Sequence, residues 1–419
     1  MRVAIFAAGS QGDIHPCALL AKAMQAHGYS VVLAAPENFT TFARALGLHI
    51  HPLRGDVQEI MEGQTGTSFM QSGSSNPIQS IRAMRRMLGP VALQMAEDAL
   101  VACQDADALI SLAVFAPLAK TIAEVRGIPV IHIEPTPVLP TRAYPAPGWP
   151  LQGNLGALLN VLSGFAMLRV IWEWYRPFVN AFRHGLGLRP LAGADFHRVL
   201  ASTPLLGAYS PSVIPRPADA PKTAHVTGYW FQDPEPPWRP PPALEEFLQG
   251  GPPPVYVGFG SMGGKDPARL AAIVIEALSM AGERGLLLTG WGGMHAQSRP
   301  DNVFIIDSAP HSWLFPRMAA VVHHGGAGTT GEGLRAGVPS VIVPFIVDQP
   351  FWGRRVRVLG VGPEPIPRKS LTAGKLAHAI HEAVTNPRIR ESAATIGTAI
   401  RSEDGLGTAL RLVGEYLGA

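Results

Sequence analysis

The chain has 419 residues, of which 47% are hydrophobic and 16% charged, and its formal net charge is +3. This length exceeds the roughly 250–300 residues at which one hydrophobic core usually divides, so we expect two domains. Lys and Arg are scattered rather than grouped in a long block, which argues against nucleic acid as the main partner, and the low charge content favours an apolar one.

The cysteines and the amino terminus indicate a reducing compartment. Cys17 and Cys103 are far apart and lack a CxxC spacing, so neither a disulfide framework nor a zinc site is expected. Met1 is followed at once by a strand-like run, without the pattern of a signal peptide. The most membrane-like segment, residues 155–174, is interrupted by polar residues and predicts a helix with an apolar face. We expect a cytoplasmic protein, with peripheral membrane contact as a further expectation.

The first half of the chain alternates predicted strands with predicted helices. The predicted elements are strands over 3–7, 30–34, 108–112 and 129–133, and helices over 16–27 and 116–126. Strands that alternate with helices in this way imply a parallel sheet covered on both faces.

A proline-rich stretch then divides the chain. Nine prolines lie between Pro234 and Pro254, a composition typical of a semi-rigid extended connector. A second alternation follows, with strands over 255–259, 286–289, 303–306, 320–323 and 340–344 and helices over 267–282 and from about 329. The predicted organisation is a Rossmann-like domain over 1–235, a linker over 236–254, a second Rossmann-like domain over 255–400, and a carboxyl-terminal helix over 401–419 that can return to the first domain. The two α/β domains are expected to face each other across a cleft.

Two glycine-flanked bends follow predicted strands. The first, GSQGDIHP at residues 9–16, places Asp13 and His15 at the mouth of a helix, where Asp13 is a natural N-cap and His15 can be a packing residue. The second, HHGGAGTT, precedes a helix predicted to begin near Thr329. Glycines let an anion approach the partly positive N–H groups of a helix start. His324 can add a donor, and Glu332 can accept from both hydroxyls of a ribose, unless Thr329-x-x-Glu332 is only a capping box.

These motifs together resemble a known family. HHGGAGTT, GLRAGVPSVIVPF and DQPFWG are similar to the donor-binding signature of family 1 glycosyltransferases, the nucleotide-sugar enzymes of the GT-B fold. The resemblance is strongest for the sterol 3β-glucosyltransferases and bacterial natural-product UDP-glycosyltransferases. It continues through GSQGDIHP, YSPSVIPRPAD, HVTGYWF, YVGFGSM, APHSWLFP and LGVGPEPIP, and so covers most of the chain.

The resemblance implies a donor site made mainly by the second domain. Residues expected at the diphosphate are Ser261, His324, Gly326 and Thr329, and Gly12 and Gly328 are further expected contacts of the donor. Glu332 would hold the ribose, which favours UDP over a deoxythymidine donor. Asp348 and Gln349 would read hydroxyls of the sugar, and the alternative is a strand-end turn before Pro350. Ser308, Ala309 and His311 match the segment that surrounds the uracil, although plant members have a stacking tryptophan at the position of Ser308.

The resemblance also implies the reaction. Asp13 occupies the place of the general base, with His15 as a polar contact or second base, and transfer inverts the anomeric centre in one displacement. An aspartate is a weak base at neutral pH unless desolvation raises its pKa, so this role requires a pocket that excludes water. The helix start and His324 would meet the charge of the leaving UDP, so we expect no metal and no cofactor besides the UDP-glucose co-substrate.

The acceptor pocket is expected in the first domain, where aromatic residues are frequent between residues 135 and 182. Trp149, Trp172 and Tyr175, together with Phe345, are the expected acceptor contacts, and the alternative is that these aromatics belong to the core. A sterol, triterpenoid, polyketide or flavonoid would fit such a pocket.

Other functions fit the pattern less well or remain as alternatives. A nicotinamide oxidoreductase is disfavoured because GSQGD lacks the GxGxxG spacing and no acidic residue closes the second strand. A glycolipid rhamnosyl- or glycosyltransferase acting on hydroxy fatty acids shares the donor pattern. A non-catalytic nucleotide-sugar-binding subunit would bind UDP without turnover.

Overall fold

A computed structural model describes residues 1–55, 77–150, 153–231, 238–260, 267–289 and 300–418. The chain divides into two compact units, Met1–Phe231 with Asp404–Ala419, and Gln232–Glu403. Each unit is an α/β structure with a parallel sheet. The carboxyl-terminal segment therefore belongs to the same unit as the amino terminus.

The first unit alternates strands and helices along most of its length. Its strands are β1 (Arg2–Phe6), β2 (Ser30–Pro36), β3 (His49–Leu53), β4 (Ala108–Leu112), β5 (Val130–Glu134), β6 (Leu205–Gly207) and β7 (Ala224–Val226). Its helices are α1 (Gln11–Ala26), α2 (Thr40–Ala45), α3 (Pro77–Ala102), α4 (Ala116–Arg126), α5 (Ala157–Gly185) and α6 (Gly193–Ser202), with a final helix at Gly405–Leu417. The strand order is β3-β2-β1-β4-β5-β6-β7, and every pairing is parallel.

The second unit repeats this plan with a smaller sheet. Its strands are β8 (Val255–Gly258), β9 (Gly285–Leu288), β10 (Val303–Ile306), β11 (Ala320–His323) and β12 (Ser340–Ile342). Its helices are α7 (Pro242–Gln249), α8 (Pro267–Ala281), α9 (His311–Leu314), α10 (Ala327–Ala336), α11 (Gln349–Val358), α12 (Ala373–Thr385) and α13 (Pro387–Arg401), and the final helix of the chain is α14. The strand order is β10-β9-β8-β11-β12, again parallel throughout.

The apolar strand runs are explained by burial on both faces of each sheet. In β1, Val3 and Ile5 join one hydrophobic cluster together with residues of α1 and α14, whereas Ala4 and Phe6 join a second cluster on the other face. Alternate residues of a strand point to opposite faces, so a strand covered on both sides must be apolar throughout.

Strand order reverses direction at one place in each sheet. In the first unit β1 lies between β2 and β4, and in the second β8 lies between β9 and β11. Ligands of doubly wound sheets bind beyond the carboxyl ends of the strands at such a switch point. The loop after β1 leads into the first turn of α1, which carries Asp13, and the loops after β8 and β11 carry Gly260 and the glycine bend. The motifs singled out in the sequence therefore lie at these two switch points.

Most predicted elements agree with the structure within two residues, but two predictions are wrong. Helix α1 begins at Gln11, with Ser10 as its N-cap, rather than at Pro16, which lies inside the helix. The proline-rich stretch is not extended throughout, because α7 occupies Pro242–Gln249 and buries Leu244 in a cluster of the second unit.

Helix α5 is, among the described residues, the one long and apolar enough to cross a membrane by length and composition alone. Core helices of soluble proteins pass the same test. Two of the polar residues that interrupt its sequence are paired within the protein, since Arg169 and Glu173 form an ion pair at 2.7 Å. Large apolar side chains near its start are exposed, namely Leu158, Leu159, Leu162 and Phe165.

Candidate functional site

The glycine bend between β11 and α10 needs glycine for packing as well as for conformation. Gly325 has φ +88°, and a Cβ built on it would lie 2.7 Å from the side chain of Ile342 and 3.1 Å from the carbonyl oxygen of Gln349. Gly326 is the N-cap of α10 and offers no side-chain cap. The first N–H groups of this ten-residue helix therefore remain available to an anion.

The two histidines before the bend have different roles. His323 is fully buried, and its Nδ1 accepts the N–H of Gly325 at 3.1 Å, which shapes the bend. The ring of His324 lies between Gly260 and Gly326, and burial lowers its pKa to about 4. His324 is thus neutral at pH 7 and can donate one N–H to a ligand, but it does not offer a positive charge. Its Nδ1 is buried with no hydrogen-bond partner among the described residues.

The capping-box alternative for Thr329 and Glu332 is wrong. Helix α10 begins at Ala327, two residues before the predicted start, so Thr329 lies in its first turn and Glu332 in its second. Glu332 is partly buried and lies 3.9 Å from the guanidinium of Arg335. The Glu332 carboxylate therefore lies in the turn that follows the first N–H groups of α10.

Asp348 and Gln349 lie at the start of α11, directly beside the glycine bend. The Oε1 atom of Gln349 accepts the backbone N–H groups of Phe345 and Ile346 at 2.7 and 3.1 Å, so this oxygen holds the loop together. Asp348 accepts from the indole N–H of Trp352 at 3.1 Å. The strand-end turn is therefore compatible with a sugar-binding role for Gln349, because its carboxamide N–H₂ is not used by these bonds.

The segment predicted to surround a uracil follows β10. Ser308 is exposed and Ala309 half-buried, whereas the His311 ring stacks on Phe315 at 4.3 Å and lies 3.3 Å from the Tyr256 hydroxyl. The short helix α9 packs against α10, which brings this segment to the same end of the unit as the glycine bend. The predicted contact of Ser261 lies outside the described residues.

Asp13 lies in the first turn of α1 and not at its N-cap. Its Oδ2 accepts from the backbone N–H of Ser10 at 2.8 Å, which is one half of a capping box, and also from the Ser10 hydroxyl at 3.0 Å. A Cβ on Gly9 would come within 2.4 Å of the same oxygen, so Gly9 allows this approach. Gly12 is an exposed helical residue beside Asp13.

His15 and Tyr175 flank this part of the first unit. The His15 ring stacks on Phe42 at 5.8 Å, and burial lowers its pKa, which agrees with the packing alternative. Burial raises the pKa of Tyr175 well above its usual value, and the negative charge of Asp13 adds to this effect. The charge of Asp13 thus opposes ionisation of the Tyr175 hydroxyl, an effect that the sequence does not indicate.

The other aromatic residues expected at an acceptor differ in exposure. Trp172 is 1% exposed in a core cluster with Leu168 and Phe196, so the core alternative describes it correctly. Trp149 is half-buried in the loop before α5. Phe345 belongs to the second unit, where it packs on Phe259.

No three His, Cys, Asp or Glu side chains lie close enough to hold a metal ion in the part of the chain that the structure describes.

Comparison with known proteins identifies the two halves separately. The glycosyltransferase family 28 N-terminal domain matches residues 3–145, and the erythromycin biosynthesis protein CIII-like C-terminal domain matches residues 291–404. Among solved structures, the glycosyltransferase of kitacinnamycin superposes over 99% of this chain and 98% of its own, with a TM-score of 0.73 and 20% identity. Glycosyltransferase VinC, solved in complex with dTDP, superposes over the full length of both chains with a TM-score of 0.67 and 18% identity. These likenesses confirm the GT-B fold.

Full-length relatives identify the family. A sterol 3-beta-glucosyltransferase of Arabidopsis thaliana is 34% identical over 98% of this chain and 67% of its own length. An O-mycaminosyltylonolide 6-deoxyallosyltransferase of Streptomyces fradiae is 35% identical over 99% of this chain and 97% of its own. A sterol 3-beta-glucosyltransferase of Aspergillus fumigatus is also 35% identical, although the chain spans 30% of its length. The chain therefore belongs to the family 1 glycosyltransferases of the GT-B fold, among relatives that include sterol and macrolide glycosyltransferases.

Proposed function

We propose that the protein transfers glucose from UDP-glucose to a hydroxyl group of an apolar acceptor, such as a sterol or triterpenoid, with inversion at the anomeric carbon. The observation that carries the donor assignment is the glycine bend of the second unit. Its N–H groups, the neutral His324 ring and the Glu332 carboxylate follow one another along a single strand–bend–helix unit, in the order diphosphate then ribose.

In the proposed reaction the acceptor oxygen attacks the anomeric carbon while the bond from that carbon to the β-phosphate oxygen breaks. Asp13 takes the acceptor's proton, and the capping bonds from Ser10 hold its carboxylate in one orientation. The negative charge that develops on UDP is met by the start of α10 and by the N–H of His324, which stabilise it without rearranging. These groups replace a metal ion in the proposal.

An apolar acceptor is supported by the exposed side chains of Leu158, Leu162 and Phe165 at the start of α5 and by the names of the relatives. Contact of this face with a membrane surface, from which such an acceptor would be drawn, is part of the same proposal.

A second candidate is transfer of a 6-deoxyhexose to a macrolide. It is favoured by the Streptomyces fradiae relative, because the match to this chain covers 97% of that relative's length. The nucleotide of the donor separates the two candidates, since glycosyltransferase VinC was solved in complex with dTDP.

The experiment is turnover by the purified full chain. UDP-glucose and a dTDP-activated 6-deoxyhexose are each supplied with separate sterol, flavonoid, macrolide aglycone and hydroxy fatty acid acceptors, and glycosides are detected by mass. The proposal expects a glucoside of an apolar ring alcohol from UDP-glucose. Products from the dTDP-activated 6-deoxyhexose alone would favour the second candidate, products from hydroxy fatty acids alone would indicate a glycolipid enzyme, and UDP binding without product from either donor would indicate a non-catalytic subunit.

A further inference from the structure

Val347 has a backbone conformation that its side chain disfavours. Its φ is +55°, and all other described residues with positive φ are glycines. The Cβ of an L-residue meets the following carbonyl group in this region, and a branched side chain makes the strain larger. Such a conformation persists only where the surrounding structure enforces it.

Hydrogen bonds on both sides of Val347 enforce this conformation. The Oε1 atom of Gln349 accepts the N–H groups of the two residues that precede Val347, and the N–H of Gln349 donates to the carbonyl of Ile346 at 3.2 Å. On the other side, the Asp348 carboxylate accepts from the indole of the fully buried Trp352. The chain must therefore reverse its direction at Val347.

The described part of the fold gives no reason for a branched side chain at this position. Val347 is 67% exposed and belongs to no hydrophobic cluster among the described residues. Glycine would adopt the same backbone without strain and would lose none of this core packing. Contact with a bound ligand would give the side chain a use.

The position of Val347 in the loop before α11 indicates which bound group its side chain could contact. It lies in the loop from β12 to α11, at the carboxyl end of the sheet, and immediately precedes Asp348 and Gln349. The loop touches the glycine bend, since a Cβ on Gly325 would lie 3.1 Å from the Gln349 carbonyl oxygen. A sugar attached to a diphosphate at that bend would extend toward this loop.

We propose that Val347 is a specificity-determining residue that contacts the donor sugar. The left-handed backbone turns its side chain away from the core, so its two methyl groups form an apolar wall beside Asp348 and restrict the substituents that the sugar can carry. This inference rests on the donor site of the proposed function.

Three variants of the full chain distinguish the effect of the Val347 side chain on donor binding from the effect of its backbone conformation. Val347→Gly removes both the strain and the wall, whereas Val347→Asn also tolerates a positive φ but keeps a side chain of comparable size. Val358→Ala is the matched control, because Val358 is an exposed valine at the end of α11 in the same unit. Calorimetry then gives the Kd of each protein for UDP, UDP-glucose and the bulkier UDP-N-acetylglucosamine.

We expect Val347→Gly to reduce the preference for UDP-glucose over UDP-N-acetylglucosamine by about fivefold to tenfold, with the Kd for UDP unchanged. Val347→Asn should retain most of the preference, and Val358→Ala all of it. The inference is wrong if Val347→Gly leaves the preference unchanged, or if Gly and Asn change it equally, because the backbone alone would then be responsible. Wild-type protein that does not bind UDP would instead refute the donor site and, with it, this inference.

Discussion

The imidazole of His324 lies against the backbone of Gly326, so that a methyl group added to Gly326 would come within 2.5 Å of its Nε2 atom. We therefore expect Gly326→Ala to displace the ring from the diphosphate and weaken UDP binding by about tenfold to a hundredfold, the effect of losing one or two hydrogen bonds to a charged ligand. Calorimetric titration with UDP measures this change.

The control is Gly374→Ala. Gly374 lies in the first turn of α12 in the same unit, and its added methyl group would meet one side-chain atom at an ordinary 3.9 Å. This variant should bind UDP like the wild type. Equal UDP affinity in Gly326→Ala would show that the glycine bend does not hold the diphosphate.

Asp13 combines a capping role with the proposed base role, and two variants separate them. Asp13→Asn should lower kcat by about 10²–10⁴ because an amide cannot take the acceptor's proton. Ser10→Ala removes the hydroxyl that donates to Asp13 but keeps the carboxylate, so it should cost about 1 kcal/mol of stability and little turnover. Initial rates and thermal unfolding of both variants provide the measurements. If both lose turnover equally, the capping box accounts for the effect and Asp13 is not the base.

The glycine bend could be predicted from sequence because its requirements are local. Gly325 is needed for its positive φ and Gly326 for its contact with the neighbouring His324 ring, and the strand before them is apolar from Ala320 to Val322. The sequence predicts the start of α10 two residues late because its N-cap, Gly326, has no side chain to signal it. For α1, the apolar spacing predicts a start at Pro16, whereas Ser10 and Asp13 already cap the helix five residues earlier.

Side-chain contacts could not be predicted in this way. The N–H groups of Phe345 and Ile346 fix the direction of the Gln349 oxygen, and the sequence pattern does not indicate these two hydrogen bonds. The positive φ of Val347 follows from those bonds and not from its own propensity, which opposes it. The burial of Trp172 likewise depends on neighbours from other helices, and helical spacing alone could not distinguish core from pocket.

Glu332 should set the preference for a ribonucleotide. Its carboxylate can accept from both hydroxyls of a ribose, whereas deoxythymidine diphosphate offers one fewer. We expect wild-type protein to bind UDP more tightly than dTDP, and Glu332→Ala to weaken UDP binding while reducing the difference to about threefold or less. Arg335→Ala, which removes the neighbouring cation at 3.9 Å, should keep the preference. Wild-type affinity that is equal or higher for dTDP would contradict this role and favour a deoxythymidine donor.

His132 and Glu134, two residues apart on β5, should give opposite dependences of stability on pH. Burial lowers the pKa of His132 to about 4 and raises that of Glu134 to about 7, even though the Tyr209 hydroxyl donates to Glu134 at 2.7 Å. As pH falls from 6.5 to 4, His132 binds a proton in the unfolded chain but not in the folded chain, which lowers the free energy of unfolding by up to about 3 kcal/mol. As pH rises from 4.5 to 7, Glu134 keeps its proton in the folded chain but releases it in the unfolded chain, which lowers the free energy of unfolding by a similar amount.

Single variants should reveal each effect, because the two nearly cancel between pH 4.5 and 6.5 in the wild type. Relative to the wild type, His132→Asn keeps a hydrogen-bonding group for Ser111 and should lose stability as pH rises across this window, since only Glu134 then contributes. Glu134→Gln should instead gain stability relative to the wild type as pH rises. Urea unfolding at pH 4.5, 5.5 and 6.5 measures both differences, in which other titrating groups cancel. Variant curves parallel to that of the wild type would mean that neither side chain has a shifted pKa in the folded protein.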